Sequence, residues 1–172
     1  MNVRDAIRSK RAIRAFRDEM LSANQVRDIL DAGRRAQSSK NSQPWHFIAV
    51  QERARLRAIA ALGDNIGHVG GAALCVVIVV PQENERTLWH FFDTGQAAAC
   101  MQLAAQELGI GSCLGTVYAT EALRELLGFP PEYQAQLLIS FGHPAAQQPR
   151  RGLGAAGRRG FAEVVHHETW GG

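Results

Sequence analysis

The chain has 172 residues, of which 46% are hydrophobic and 20% are charged, and its formal net charge is +3. This length suits one domain with a substantial buried core, so we expect residues 1–172 to form a single domain. The longest apolar run, Ala72 to Val80, is too short to span a bilayer, and no secretory signal opens the chain. These features argue against a membrane-spanning helix and favour a cytoplasmic location.

The cysteines and histidines lack the patterns of a disulfide framework or a metal site. Cys75, Cys100 and Cys113 are odd in number, have no C-x-x-C spacing and lie in apolar stretches, which favours reduced, buried thiols. No two histidines have H-x-x-x-H spacing, so we expect no bound metal. All but two of the 19 basic residues are Arg, the residue preferred for bidentate phosphate contacts. Biased genomic composition is the alternative explanation for that abundance.

Apolar periodicity, helix caps and turn residues predict a chain in which helices and strands alternate. A capping box of Ser22 and Gln25 starts the second helix, and the apolar run that Pro81 ends is typical of a central strand covered on both faces. The longest helix is rich in small residues and ends at Gly109, which suits the position after a helix. The predicted elements are helices at 2–10 and 22–36, a strand at 47–50, a helix at 52–62, a strand at 73–80, a helix at 85–108, a strand at 113–117, a helix at 120–127 and a strand at 136–141.

This alternation predicts an α+β or α/β sandwich around a sheet of four or five strands. Residues 144–160 are rich in Pro, Gly, Gln and Arg and are expected to leave the core, before Phe161 to Trp170 becomes partly apolar again. Such a tail either docks on a partner chain or folds back on its own domain, and the sequence leaves both open. The run 152–157 matches G-x-G-x-x-G, but no predicted strand leads into it and little chain follows, so we reject a dinucleotide fingerprint.

Two clusters of basic residues are candidates for binding a phosphate group. Lys10, Arg11 and Arg14 lie near one end of the chain, and Arg158 and Arg159 lie near the other. The chain has no P-loop, so a bound phosphate depends on side chains, and Arg pairs with phosphate through parallel N–H···O hydrogen bonds. For each of these residues the alternative is ordinary solvated surface charge.

A polar loop that runs directly into an apolar strand is the most informative segment of the sequence. Residues 38–43 carry hydroxyl, amide and amine groups, and Pro44 imposes an extended or turn geometry before Trp45. A polar loop held in a fixed place suits hydrogen bonding to a planar or charged ligand. An ordinary surface loop that begins a strand is the alternative.

Four segments in this order resemble the nitroreductase family of FMN-dependent oxidoreductases. Members carry a stretch close to Arg-Arg-Ser-x-Arg-x-Phe and a loop close to Pro-Ser-x-x-Asn-x-Gln-Pro-Trp. This chain has Lys-Arg-Ala-Ile-Arg-Ala-Phe at 10–16 and Gln-Ser-Ser-Lys-Asn-Ser-Gln-Pro-Trp at 37–45. Residues 108–113 and 158–166 are also similar to family segments, so the resemblance covers nearly the whole chain. Ala12 stands where the family usually has serine.

The resemblance implies a three-layer α+β fold, in which helices flank a central mixed sheet of four or five strands and a C-terminal extension reaches the partner subunit. It implies a homodimer with bound FMN, and basic residues from both chain ends at the FMN phosphate. On that basis Lys10 and Arg11 contact the phosphate together with Arg158 or Arg159. Arg14 lies nearer the flavin ring, where positive charge favours reduction.

The resemblance also implies roles for the polar loop and for a later strand. Leu114 and Gly115 would bring a backbone amide to flavin atom N5, where hydride arrives and leaves. An ordinary strand that contains a glycine is the alternative for these two residues. The side chains expected to hydrogen-bond the flavin, commonly from the neighbouring subunit, are those of Ser38, Ser39, Asn41 and Gln43.

The expected function is an FMN-dependent oxidoreductase that takes hydride from NADH or NADPH and reduces a second substrate by a ping-pong mechanism. The resemblance implies nitroaromatic or quinone acceptors, and neither nucleic acid nor a membrane is expected as a partner. No protein acid–base pair stands out in the sequence, which fits chemistry carried by a flavin. The alternative is a flavin-binding storage or sensor protein without turnover, and acceptor-dependent oxidation of NAD(P)H distinguishes the two.

Overall fold

The computed structural model of the chain describes residues 1–82, 85–148 and 158–171. The strands are β1 (His46–Val50), β2 (Leu74–Pro81), β3 (Gly111–Thr116) and β4 (Tyr133–Gly142). The helices are α1 (Val3–Ser9), α2 (Ala23–Arg34), α3 (Arg53–Ala60), α4 (Thr87–Glu107), α5 (Thr120–Leu127) and α6 (Phe161–Val164), with 3-10 helices at Ser39–Asn41 and Asp64–Gly71. The strands form one sheet in the order β1-β2-β4-β3, so β1 and β3 are its edges.

The sheet is antiparallel, with β2 paired to β1 and β4, and β3 paired to β4. The predicted α+β class is confirmed, but the expectation of a mixed sheet is wrong for these four strands. A connection that contains a helix is long enough to return the chain in either direction, so alternation along the sequence does not fix the direction of pairing. Among the described residues, parallel pairing is limited to an isolated bridge between Ala12 and Ser112.

β2 is the central strand, and all of its residues except Pro81 are buried. Successive side chains of a strand point to opposite faces, so this strand contributes to two separate apolar clusters. Leu74, Val76 and Ile78 pack with residues of α2 and α4 on one face. The other face packs against α3, the 64–71 helix and α5. The predicted central strand covered on both sides is therefore confirmed.

The helix ends follow the signals in the sequence. Ser22 Oγ accepts from the backbone N–H of Gln25 at 3.3 Å, and the backbone N–H of Ser22 donates to Gln25 Oε1 at 2.8 Å, which is the predicted capping box. Gly109 follows α4 with a φ of +71°, the left-handed conformation that favours glycine. Thr120, predicted as a cap, is instead the first residue of α5.

Other boundaries differ from the predictions. β3 begins at Gly111 rather than 113, because pairing with β4 extends the strand through Gly and Ser, which have weak strand preference. The 64–71 helix was not predicted from the sequence. The glycine-rich run 152–157, and with it much of the predicted excursion, lies outside the described residues. In the described part of the chain, no helix combines the length and the hydropathy needed to cross a bilayer.

Residues 12–16 run along the outer edge of β3. The backbone N–H of Ile13 donates to the carbonyl of Ser112 at 3.0 Å. Phe16 then forms an antiparallel bridge with Pro144, just beyond the end of β4. The chain that follows α1 is thereby fixed beside the edge of the sheet.

Two glycines make room for this segment. Gly111 and Gly142 are directly opposite each other in the pairing of β3 with β4. A Cβ atom on Gly111 would lie 2.7 Å from Ile13 Cγ2, and one on Gly142 would lie 2.9 Å from Phe16 Cδ1. Both distances are shorter than van der Waals contact, so Ile13 and Phe16 occupy space that any other residue type would fill.

We expect Gly111→Ala to lower the free energy of unfolding by about 1–3 kcal/mol, the usual cost of overpacking. The new methyl group would meet not only the tip of Ile13 but also its Cβ, at 2.8 Å, so the backbone of the segment must move. Urea unfolding of the two proteins measures the difference. Gly67→Ala is the matched control, because nothing lies within 4 Å of its added Cβ. Equal stability of Gly111→Ala and wild type would contradict this packing.

Candidate functional site

A basic segment, residues 10–14, lies beside edge strand β3 and includes a half-buried ammonium group at Lys10. Burial is the main influence on the pKa of Lys10 and lowers it, because the charged form loses solvation. Cys113 opposes this lowering, and the positive charge of Arg14 adds to it. A half-buried cation close to a second cation is stabilised by an anion, which this site could receive from a ligand.

Arg14 is held by its backbone while its side chain keeps an unused donor. The backbone N–H groups of Arg14 and Ala15 both donate to Gln148 Oε1 at 3.0 Å. Gln148 Nε2 donates in turn to the carbonyls of Ala15 and Ala145. Within the described residues, Arg14 Nε is buried without a hydrogen-bond partner. Such a group costs about 1–3 kcal/mol, so this side chain is suited to an acceptor on a ligand.

Arg11 is exposed and directed toward α1. Its Nη1 donates to the carbonyls of Arg8 at 2.6 Å and Lys10 at 2.8 Å, at the C-terminal end of the helix, where a cation is favourable. In residues 1–82, 85–148 and 158–171, Lys10, Arg11 and Arg14 form no ion pair with a carboxylate. The segment therefore carries three positive charges that no neighbouring acid compensates.

The edge of β3 next to the basic segment presents the backbone N–H of Leu114. Ser112 uses its carbonyl to pair outward with Ile13, so by the alternation of an antiparallel ladder Cys113 and Gly115 point toward β4 and Leu114 points outward. The bridge to the basic segment is isolated at Ser112 and does not continue to Leu114. Of the two predicted residues, Leu114 is the one whose amide faces the open edge.

The polar loop at 38–43 folds on itself and has an unusual backbone. Lys40, Asn41 and Gln43 have φ values of 52°, 54° and 46°, in the left-handed region that non-glycine residues seldom adopt. Ser38 Oγ accepts from the backbone N–H of Gln43 at 2.9 Å, and the side chains of Gln43 and Asn41 are 3.3 Å apart. Held in this shape, the loop presents Asn41 and Gln43 at the surface as donors and acceptors.

The loop is anchored by Asp93 of α4, a residue that the sequence analysis missed. This carboxylate is only 1% exposed, and its two oxygens lie 3.1 and 3.0 Å from the backbone nitrogen of Ser39. Gln96 also donates to it, at 3.3 Å, and accepts from Gln37 at 2.6 Å. A single acidic residue within a long run of apolar and small residues was the available signal, since such a residue needs a partner when buried.

The structure does not bring the loop and the basic segment together within one chain. The loop leads into β1 and the segment lies along β3, and these opposite edges are three strand spacings, or about 14 Å, apart. α4 spans the same gap, because Asp93 binds the loop while Gln102 Nε2 donates to Ser112 Oγ at 3.2 Å. About nine residues of helix between these contacts also correspond to about 14 Å.

Arg158 and Arg159 are exposed and, in the described part of the chain, form no ion pair. The segment that follows them makes hydrogen bonds within itself, from the backbone of Gly160 to Glu163 Oε1 and from that of Gly171 to His166 Nδ1. Phe161 and Trp170 are 74% and 92% exposed. The structure thus leaves open the predicted meeting of both chain ends at one phosphate. Among the described residues, no cluster of His, Cys, Asp and Glu has a metal-binding arrangement.

Comparison with known sequences relates this arrangement to a family. The chain matches the profile described as "Nitroreductase family" over residues 7–73 and 67–143. An Archaeoglobus fulgidus protein with the provisional name NADH dehydrogenase/NAD(P)H nitroreductase is 31% identical over 170 residues, which cover 95% of this chain and 96% of that protein. A Bacillus subtilis protein named FMN reductase (NADPH) is 23% identical over 165 residues, covering 84% of this chain and 66% of that protein.

Solved structures share the fold as well. An FMN-dependent nitroreductase from Clostridium difficile superposes with a TM-score of 0.82 at 25% identity, and the alignment covers 95% of this chain and 98% of that chain. The profile match extends over most of the chain, and both motifs that it includes occupy defined positions at the edges of the sheet. The chain belongs to the nitroreductase family.

Proposed function

We propose that this FMN-dependent oxidoreductase takes hydride from NAD(P)H and passes electrons to a small organic acceptor in a site formed by two copies of the chain. The observation that carries the proposal is the arrangement at the edge of β3. Half-buried Lys10 and the unpaired Nε of Arg14 lie in one segment, and the outward N–H of Leu114 lies on the strand beside it. These groups fit FMN, which offers a phosphate dianion and a ring with hydrogen-bond acceptors at its edge.

FMN, when bound, supplies the hydride and electron transfer, and the residues of the chain bind and orient it. Lys10 balances the phosphate charge, with Arg11 and either Arg158 or Arg159 as further contacts. Arg14 raises the electrostatic potential around the ring, which favours the negative charge that reduction brings. The N–H of Leu114, next to Gly115, donates to the ring edge. The loop side chains that complete the hydrogen bonding are those of Ser38, Ser39, Asn41 and Gln43.

A second copy of the chain is needed because the loop and the basic segment lie at opposite edges of one sheet. The surface supports such pairing, since large apolar side chains are exposed on several helices. On α4 these side chains continue into small residues at helical spacing, a pattern that suits close packing of helices. The stripe consists of Leu88, Phe92, Gly95 and Ala99, and other exposed apolar residues are Val3, Ile7, Trp89 and Phe161. The C-terminal segment would extend onto the partner.

The proposed acceptors are nitroaromatics and quinones, which are planar and can stack on a flavin. Names of relatives include an NAD(P)H nitroreductase, an NADH dehydrogenase and an NADPH-dependent FMN reductase. They agree on a nicotinamide donor and differ in the acceptor. We therefore propose one pocket that NAD(P)H and the acceptor occupy in turn.

We expect Lys10→Gln to weaken FMN binding by about ten- to a hundredfold, because a hydrogen bond to a charged group is worth about 1.5–3 kcal/mol. Riboflavin lacks the phosphate, so its dissociation constant should hardly change. Titration monitored by flavin fluorescence measures both constants. Arg4→Gln is the matched control, since Arg4 is an exposed cation on α1 outside the basic segment. Equal loss of FMN and riboflavin, or loss of neither, would contradict a phosphate contact at Lys10.

We expect two defective variants to restore a site when they share a dimer. One variant carries Lys10→Gln with Arg14→Gln, and the other carries Asn41→Gly with Gln43→Gly. Glycine removes those side chains without strain at positive φ. A mixed dimer, isolated through two affinity tags, should bind one FMN with wild-type affinity and a second one weakly. If each site belonged to a single chain, both sites of the mixed dimer would be defective and no tight binding would return.

Steady-state kinetics should show that the two substrates use one pocket in turn. Initial rates at several concentrations of NADH or NADPH and of a quinone should give parallel double-reciprocal lines. Without an acceptor, under anaerobic conditions, oxidation should stop after one equivalent of NAD(P)H per bound FMN. Intersecting lines would contradict alternate occupation. An FMN-loaded protein that oxidises no NAD(P)H would instead be the storage or sensor protein of the alternative reading.

A further inference from the structure

A polar pair lies behind β3, on the face opposite to the side chain of Leu114. His68, in the 64–71 helix, has its Nδ1 at 2.8 Å from Ser140 Oγ. Ser140 is fully buried in β4 and is paired with Cys113 of β3. Its hydroxyl also donates to the carbonyl of Cys113, at 3.4 Å. A hydrogen-bonded path therefore leads from the imidazole, through a buried hydroxyl, to one carbonyl of the edge strand.

The missing side chain of Gly115 lets His68 approach the strand. A Cβ atom at this position would lie 3.5 Å from His68 Nε2 and 2.7 Å from Ile66 Cγ2. The 64–71 helix therefore packs directly on the backbone of β3 next to Leu114. This contact fixes the imidazole relative to the strand that presents the outward N–H.

The carbonyl at the end of this path belongs to the same peptide unit as the N–H that faces the proposed flavin site. The C=O of Cys113 points toward β4, and in a trans peptide the N–H of Leu114 points the opposite way. A hydrogen bond to the oxygen of an amide polarises the unit and makes its N–H a stronger donor. The two sides of the strand are thus coupled through one peptide bond.

We propose that His68 is a positioning residue that acts through Ser140 on the Cys113–Leu114 peptide and strengthens the hydrogen bond from the Leu114 N–H to bound FMN. A hydroxyl has one proton, so while Ser140 donates to the Cys113 carbonyl it accepts from His68 Nδ1–H. The direction of donation is then from His68 to Ser140 to Cys113. This inference rests on the proposed function for its effect on FMN, whereas the path itself exists in the protein alone.

The path can be tested without FMN, because Cys113–Leu114 is the only Cys–Leu step in the sequence. Labelling Cys at its carbonyl carbon with ¹³C and Leu with ¹⁵N gives a single correlated NMR signal from this peptide. We expect Ser140→Ala and His68→Phe to shift this ¹³C resonance and the attached ¹⁵N resonance in the same direction. His68→Asn should restore most of the wild-type shift, because its amide can replace Nδ1 as a donor. Unchanged resonances in Ser140→Ala would overturn the proposal.

The effect on bound FMN is measured as its midpoint potential in the full-length protein. Cooperative strengthening of about 10–30% in a hydrogen bond of about 1.5–3 kcal/mol predicts a two- to fivefold loss of preference for reduced FMN in Ser140→Ala and His68→Phe. This loss corresponds to a potential about 10–20 mV more negative for a two-electron couple. The double variant should equal each single variant, because either substitution interrupts the same path.

Thr94→Val is the control, since Thr94 also donates from a buried hydroxyl to a carbonyl, that of His90, but within α4. It should leave both the resonances and the potential unchanged. Additive shifts in the double variant, or a shifted carbonyl resonance with an unchanged potential, would overturn the proposal. Failure of the wild-type protein to bind FMN would instead refute the proposed function, and the NMR experiment would still decide whether the path exists.

Discussion

The geometry of the site depends on a short contact, the addition of residues 12–16 to the open edge of β3. An edge strand presents unpaired backbone groups, and this segment uses the carbonyl of Ser112 before it turns toward Gln148. Longer pairing would have covered the N–H of Leu114, whereas no pairing would have left the segment unattached. Because the contact stops at Ser112, cationic side chains and an outward N–H lie side by side. The opposed glycines Gly111 and Gly142 provide the space that makes this contact possible.

The loop at the other edge follows a different physical rule, since its shape is costly by itself. Residues held in sparsely populated backbone regions cost about 1–3 kcal/mol each, and three such residues occur between Lys40 and Gln43. The buried carboxylate of Asp93 and the hydroxyl of Ser38 offset this cost by binding the loop backbone. The cost is met when the protein folds, so a ligand does not have to order the loop. α4 thereby serves both edges, since it anchors the loop near one end and contacts Ser112 further along.

The sequence predicted what local chemistry determines. The capping box at Ser22, the left-handed Gly109 and the buried strand before Pro81 depend on neighbouring residues, and all three are found in the structure. The family motifs also identified the basic segment and the loop. What could not be predicted depends on residues far apart in sequence: the antiparallel direction of every strand pair, the anchoring of the loop by Asp93, and which amide of β3 points outward. The last of these requires the pairing partner of Ser112, which no local pattern contains.

The two faces of β3 divide the work of a flavin site in a way that follows from strand geometry. Groups in front of the strand must leave room for two substrates in turn, so they can contact the flavin only at its rim and at its phosphate. A peptide unit transmits polarisation across the strand without occupying that space, because its carbonyl and its N–H point to opposite sides. His68 and Ser140 lie behind the strand, where Gly115 leaves room for them and substrates do not reach. Adjustment of the donor from behind is therefore compatible with an open pocket in front, whereas an added side chain at Leu114 would compete with the acceptor.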